Sequence, residues 1–404
     1  MMIFEIILAI IVGIMFGVVT GLTPGIHVNL VSLLLLSMSG FFMSFTSPLV
    51  LSVFIIAMCV THTFLDAVPS IFLGAPDEAQ AMNVLPGHRL LLEGKGYEAV
   101  KLTVVGALLS LISVLIIIPF LIPVVPIFYK FVQPYIGYIL IFVVIFMTLN
   151  EKGFDKKIWS LIVFLMSGVL GLLVFNIPNL NQPLFPLLSG LFGISTLILS
   201  LNENVKIPKQ IFSDTIIIPF KNKAKAIFAA VFAGSLAGLF PGLGPAQVAI
   251  IGMQFVGNIG EYAFMILVGG IGTVNFVFSL VALYTIQKAR NGAVAVVLEI
   301  IKSIDLVQLI VLLAVALIAG AAGAILALKI SKVFAKYIVK INYKKLCILI
   351  ISFISLIAFI FGGFLGLFIL AVSTSIGLVA PLIGVKRSSA MGCLLLPVIL
   401  YFVI

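Results

Sequence analysis

Apolar runs alternate with short polar punctuation along the whole chain. They fall at about 3–22, 28–39, 47–73, 99–127, 133–149, 158–175 and 183–200, then at 224–239, 246–257, 262–285, 304–330, 346–362, 364–383 and 388–403. Most reach the roughly 18 residues that let a helix cross a hydrocarbon core. Leu111–Ile127 is apolar but for Ser113, and Leu309–Leu328 holds no polar residue at all. A transmembrane barrel would show alternation over about 10 residues instead, so these runs predict helices. The pattern therefore predicts an all-α polytopic membrane protein of the cell membrane. Two runs, 28–39 and 246–257, are too short to span alone and predict half-helices or arms of re-entrant elements. The first run has no basic stretch before it and no small-residue cleavage site, which predicts a retained span.

The pattern also repeats. Gly17-Val-Val-Thr-Gly21-Leu-Thr-Pro24-Gly25 aligns without gaps on Gly234-Ser-Leu-Ala-Gly238-Leu-Phe-Pro241-Gly242, so that a small-residue helix runs into Leu-x-Pro-Gly twice. Thr61-His62-Thr63-Phe64 lies about as far beyond the first copy as Thr273-Val274-Asn275-Phe276 lies beyond the second. Two homologous halves follow, 1–200 and 224–404, joined by a cytoplasmic linker at 201–223.

Composition agrees with burial in lipid: 63% of the 404 residues are hydrophobic and only 9% are charged. Soluble domains carry about 25% charged residues, so a soluble protein and a nucleic-acid partner are both excluded. The formal charge of +10 comes from 23 Lys+Arg against 13 Asp+Glu, and the positive residues sit between the apolar runs. If each Pro-Gly element and its half-helix change sides, the basic stretches 74–98, 150–157, 201–225, 331–345 and 386–387 share one face. The positive-inside rule makes that face cytoplasmic and the halves inverted repeats. Lys288, Arg290 and Lys302 then face outward against the rule. If the elements dip and return, the repeats are parallel and 331–345 and 386–387 become the violations. Inversion costs fewer.

Proline in an apolar helix frees a carbonyl, and glycine after it permits unwinding. Lipid tolerates such a break only where protein buries it or a cavity borders it. Thr23-Pro24-Gly25 and Pro241-Gly242 with Gly244 therefore predict a Pro-Gly-broken helix or re-entrant element in each half. Their exposed N–H groups and dipole ends suit an anion. His27 and Asn29 follow the first break and Gln247 the second, offering donors that orient such a guest. Kinks and interhelical hydrogen bonds are the plainer explanation of the same residues. His62 and Asp66, four apart on one helix face within a span, are the best candidates for coupling to H+ or Na+. The second half offers Asn275 near the equivalent place and no acid. Arg290, beside Lys288 and Asn291, is placed to attract an anionic substrate.

Cys59, Cys347 and Cys393 have no metal spacing, and no metal site or cofactor is expected beyond a coupling ion. No nucleophile elbow, P-loop or metalloprotease motif is present, so neither an enzyme nor an ATP-driven pump is expected.

At Gly21–Gly25, Gly238–Pro245 and the stretch Phe72–Pro76 to Gly94–Gly96, the chain resembles the large permease subunit of the tripartite tricarboxylate transporters, in an archaeal-type branch. The resemblance implies a permease that moves a di- or tricarboxylate on an ion gradient. It further implies a small membrane subunit and an extracytoplasmic binding protein as partners. In this branch those partners can be absent, and a homo-oligomer is compatible with the sequence. The first motif continues Ile26-His27-Val28-Asn29, which departs from the family's pattern and leaves the substrate open. The polyprenyl-phosphate translocases also carry doubled Pro-Gly motifs and supply the alternative, a lipid carrier as substrate.

Overall fold

The structure is a computed structural model describing residues 2–23, 28–74, 82, 84–178, 180, 183–202, 208–212, 216–240, 243–339 and 343–403. All regular structure among them is helical. In chain order the first half gives α1 (Met2–Leu22), α2 (Val28–Ser37), α3 (Ser39–Phe42), α4 (Pro48–Leu65), α5 (Ala67–Phe72) and α6 (Val84–Leu92). It continues with α7 (Gly96–Leu121), α8 (Val125–Val132), α9 (Ile136–Leu149), α10 (Phe154–Phe175), α11 (Leu184–Leu188), a π-turn at Ser189–Ile194 and α12 (Ser195–Asn202). The second half gives α13 (Phe220–Leu239), α14 (Pro245–Val256), α15 (Glu261–Ile286), α16 (Gly292–Ile301), α17 (Leu306–Ile338), α18 (Tyr343–Ile383), a 3₁₀ turn at Arg387–Met391 and α19 (Gly392–Val403). Among the described residues eight helical runs are long and apolar enough to cross a membrane, and the molecule is a multi-pass membrane protein. Helix α16 lies between the apolar runs 262–285 and 304–330, where the sequence pattern predicts no helix. Its apolar residues are bracketed by Lys288, Arg290 and Lys302, whose charge hid it.

Glycine contacts fix helix directions. A Cβ on Gly13, Gly17 or Gly21 of α1 would lie 2.8, 2.6 and 2.6 Å from the Cβ atoms of Ala57, Thr61 and Leu65 on α4. The constant offset means that α1 and α4 run parallel. Gly234 and Gly238 of α13 meet Val274 and Phe278 of α15 in the same way, at 2.6 and 2.8 Å, so this pair is parallel too. Parallel helices joined in this order require the chain between them to travel back, and the short α2 and α14 lie on those return paths.

Helix α7 begins beside the end of α5, where Phe72 Cε1 would lie 3.2 Å from a Cβ on Gly96, so α7 runs opposite to α4. Tyr262 donates to Glu98 across 3.3 Å, and further along Ser110 Cβ would lie 2.9 Å from a Cβ on Gly270. Helices α7 and α15 are therefore parallel. Likewise Gly323 of α17 faces Thr61, and Phe334 meets Phe72 at 5.9 Å between ring centroids, aligning α17 with α4 and α5. Helices α1, α4 and α17 run one way through this bundle, and α7, α13 and α15 run the other.

Helix α18 is a hairpin. Gly363 takes φ 58° and ψ −148°, outside any helix, and a Cβ on Gly366 would strike the carbonyl of Ala358 eight residues earlier. In a straight helix those residues stand about 12 Å apart along the axis. Its second arm packs on the π-turn, where Gly377 meets Leu191, and on α11, where Ser373 donates to Pro186 O at 3.0 Å. Reciprocally, α19 packs on α10 through Gly171 and Cys393. The molecule thus has two bundles, α1/α4/α7/α13/α15/α17 and α9–α12 with α18 and α19, and each takes helices from both halves of the sequence.

Candidate functional site

Helices α4 and α15 are the most enclosed spans, and they touch at the middle of the first bundle. Thr63 Oγ1 and Thr273 Oγ1 are 3.3 Å apart. The Thr63 hydroxyl already donates to Val60 O at 2.8 Å, so Thr273 is the donor across the crossing. Gly21 is level with Leu65 and Gly238 with Phe278. At about 1.5 Å per residue, α1 therefore ends about 3 Å from this crossing along α4, and α13 about 8 Å from it along α15, in opposite directions.

Polar groups gather around that contact. His62 and Asp66 are buried one turn apart, with Asp66 N donating to His62 O at 2.9 Å. His62 Nδ1 lies 3.2 Å from Thr20 Oγ1 on α1, and the Thr20 hydroxyl itself donates to Gly17 O. With the Thr20 hydroxyl spent on Gly17 O, His62 Nδ1 is the donor of this contact. On the opposite side Ser279 donates to Asn275 O at 2.7 Å. The hydroxyls of Thr61 and Ser110 are buried with no hydrogen-bond partner among the described residues, and so is that of Ser235, on the side of α13 that faces α7 and α8. Buried polar atoms left unpaired in a membrane interior mark a place where water or a ligand completes the bonding.

The structural register corrects the sequence echo by one residue. Gly17 faces Thr61 and Gly234 faces Val274, while Gly21 lies against His62 O and Gly238 against Asn275 O. Asn275 is thus the counterpart of His62, because packing of the glycine stripe, and not letter identity, sets which residues correspond. Sequence reasoning missed Thr20 as a partner of His62. The signal was its place directly before Gly21, on the stripe that packs against α4.

The remaining candidates divide as follows. Thr23 turns back on its own helix, its N and Oγ1 both donating to Val19 O at 3.1 and 2.7 Å. Gly244 caps α14 in an extended conformation with Pro245 behind it, and no side chain caps the first-turn N–H groups. Pro24, Gly25, His27, Pro241 and Gly242 lie outside the described residues, as do the side chains of Asn29 and Gln247. Arg290 sits away from the crossing, with its guanidinium carbon 5.2 Å from the centre of the Tyr129 ring. Tyr129 in turn stacks on Phe240 at 5.6 Å, the residue that ends α13 at the second break. No group of three metal-binding side chains occurs among the described residues. His88, on the short α6 outside the spans, is pushed down to about 4 by burial and stays neutral near pH 7.

A bundle of membrane-crossing helices, interrupted by two short returning segments and carrying polar groups at its central crossing, is the build of a multi-pass membrane permease. The chain matches the model of the tripartite tricarboxylate transporter TctA family over residues 7–392, and it belongs to that family. The resemblance carried by the Pro-Gly motifs is thereby borne out. A protein of Methanocaldococcus jannaschii described as uncharacterized protein MJ1079 is 31% identical over 391 residues, spanning 94% of each chain. No solved structure matches the chain.

Proposed function

We propose that this chain is the permease that moves a di- or tricarboxylate anion across the cytoplasmic membrane, coupled to H+ or Na+. The observation that carries the reading is the Thr63–Thr273 contact, 3.3 Å wide, toward which α1 and α13 run from opposite sides. The anion binds between the two breaks, on backbone amides around Gly25, Gly242 and Gly244, with Thr23, Pro24 and Pro241 shaping the turns. His27, Asn29, Gln247 and Asn275 orient it, and His62 with Asp66 carries the coupling ion. Membership of the family favours a small membrane subunit and an extracytoplasmic binding protein as partners.

The opposed helix directions favour inverted repeats, so that rocking of one half against the other exposes the crossing alternately. Helices α6, α13 and α17 then place Arg89, Lys221, Lys223, Lys225, Lys332 and Lys336 on one face, which the positive-inside rule makes cytoplasmic. Cysteines replacing Lys332 and Lys302 are expected to react with an impermeant maleimide from the inside and the outside respectively. Labelling of both from the same side overturns the inverted arrangement.

Uptake of labelled citrate into proteoliposomes under imposed proton or sodium gradients tests the transport reading. Removing the ionisable pair with His62→Ala or Asp66→Asn is expected to lower gradient-driven uptake by about tenfold or more, since such groups inside a membrane serve ion pathways. Gradient-driven uptake unchanged in both variants removes their coupling role, and absence of citrate or succinate uptake by the unaltered protein removes the carboxylate assignment. One observation favours the second reading, a polyprenyl-phosphate carrier. A groove of about 620 Å³ between α7–α8 and α13 reaches from Lys223 to Leu239 beside the second break. Binding of polyprenyl phosphate in place of carboxylates would establish that alternative.

A further inference from the structure

Helix α16 begins at Asn291, whose Oδ1 caps the helix by accepting from Val294 N at 2.8 Å. Its amide nitrogen Nδ2 is buried and has no hydrogen-bond partner among the described residues, and the same holds for Nε and Nη2 of Arg290. Lys288 Nζ completes the group, 5.2 Å from the centre of the Tyr129 ring and 3.4 Å from the Tyr129 hydroxyl. Arg290 lies at the same 5.2 Å from that ring. Tyr129 is buried and stacked on Phe240, so one rigid aromatic pair holds both cations and ties them to the end of α13. The ion pairs of the described residues, Arg89–Glu261, Lys95–Glu93 and Lys302–Glu299, leave Lys288 and Arg290 out.

The chemistry of the unpaired atoms is specific. Nε–H and Nη2–H form the side edge of a guanidinium, two parallel donors spaced to take both oxygens of one carboxylate. Desolvating these donors is costly unless an acceptor arrives. Asn291 Nδ2 and Lys288 Nζ add donors, while the acceptor of Asn291 is already spent on its cap. The site therefore offers only donors and positive charge. It fits a ligand with two or more anionic groups and repels cations. Helix α16 also packs against α2, the short helix that follows the first break. The cluster thus adjoins both returning segments, by Phe240 on one side and α16 on the other.

We propose that Arg290, Asn291 and Lys288 form a capture site for a polycarboxylate, distinct from the central crossing, where one carboxylate is held on the Nε/Nη2 edge before the anion moves inward. This inference rests on the carboxylate reading above and adds a second binding site to it. A phosphate oxyanion would meet the same donors, so the test compares the two.

The test is calorimetric titration of citrate and of inorganic phosphate into the full chain in phosphatidylcholine nanodiscs, with Arg290→Lys and Asn291→Asp beside the unaltered protein. Arg290→Lys keeps the charge and loses the edge, and Asn291→Asp keeps the cap and loses the donor. Each is expected to weaken citrate binding by about tenfold or more, the usual scale for a hydrogen bond to a charged group, with unchanged thermal melting. Citrate binding equal in all three proteins overturns the capture site while leaving the carboxylate reading intact. Phosphate binding that depends on Arg290, without citrate binding, overturns the polycarboxylate assignment of both. Absence of any binding overturns the proposal, and uptake measured separately then decides the wider reading.

Discussion

Joining α4 to α15 by a disulfide between Thr63→Cys and Thr273→Cys is expected to stop citrate uptake almost completely, and a reductant is expected to restore it. The two hydroxyl oxygens stand 3.3 Å apart, so cysteine sulfurs in their place start close to the S–S bond length of about 2.05 Å and need little backbone motion. Helix α4 belongs to the first half of the sequence and α15 to the second. If the halves rock against each other about a central site, this crossing lies on the path of motion, and a covalent tie there should cut uptake by about tenfold or more. The native cysteines do not compete, since Cys59, Cys347 and Cys393 are all buried. The measurement is uptake after mild oxidation, followed by reduction, with cross-linking read as a mobility shift after cleavage between α12 and α13. Full uptake by the oxidised, fully linked protein would mean that α4 and α15 move as one body.

Gly106→Leu is expected to be the most damaging single substitution for folding. A side chain there would collide with the Ile266 carbonyl of α15, with Ile266 Cα at 2.8 Å, and Gly269 makes the reciprocal approach to Thr103 Cα at 2.6 Å. Backbone atoms cannot rotate aside as a flexible side chain does, so α7 and α15 would have to separate. Overpacking of this kind costs about 3 kcal/mol or more, a large part of the roughly 5–15 kcal/mol that holds a protein folded. Gly40→Leu is the control, because nothing lies within 4 Å of a Cβ there and its effect should stay within about 0.5 kcal/mol. Monodispersity and thermal melting in detergent would decide between them. Equal melting of Gly106→Leu and the unaltered protein would contradict the close helix crossing.

Much of the fold was legible in the sequence because lipid imposes a simple rule. A run such as 304–330 must be helical to satisfy its own backbone, and the structure places α17 at Leu306–Ile338. The boundary expected between 362 and 364 coincides with the Gly363 turn, since a glycine pair ended one apolar run and opened the next. Helix α16 was lost because its ten residues are too few to register as a span and are flanked by charge. At the site the individual polar residues were visible, for any Thr, His or Asp inside an apolar run draws notice. Their partners were not. Thr63 and Thr273 are 210 positions apart, and only the angle at which α4 and α15 cross brings them together. Tyr129 gave no signal either, because its role depends on Phe240 and Arg290, which chain order keeps remote.

The mixed parentage of the two bundles has a consequence for how this chain becomes a stable object. Cut between α12 and α13, it yields two pieces with matching, unfilled interiors. One lacks the surface that receives Gly106, and the other lacks the wall against which Gly377 closes. Neither piece is an autonomous folding unit, so insertion of the early helices must remain provisional until the last one, α19, has docked on α10 and sealed the interior.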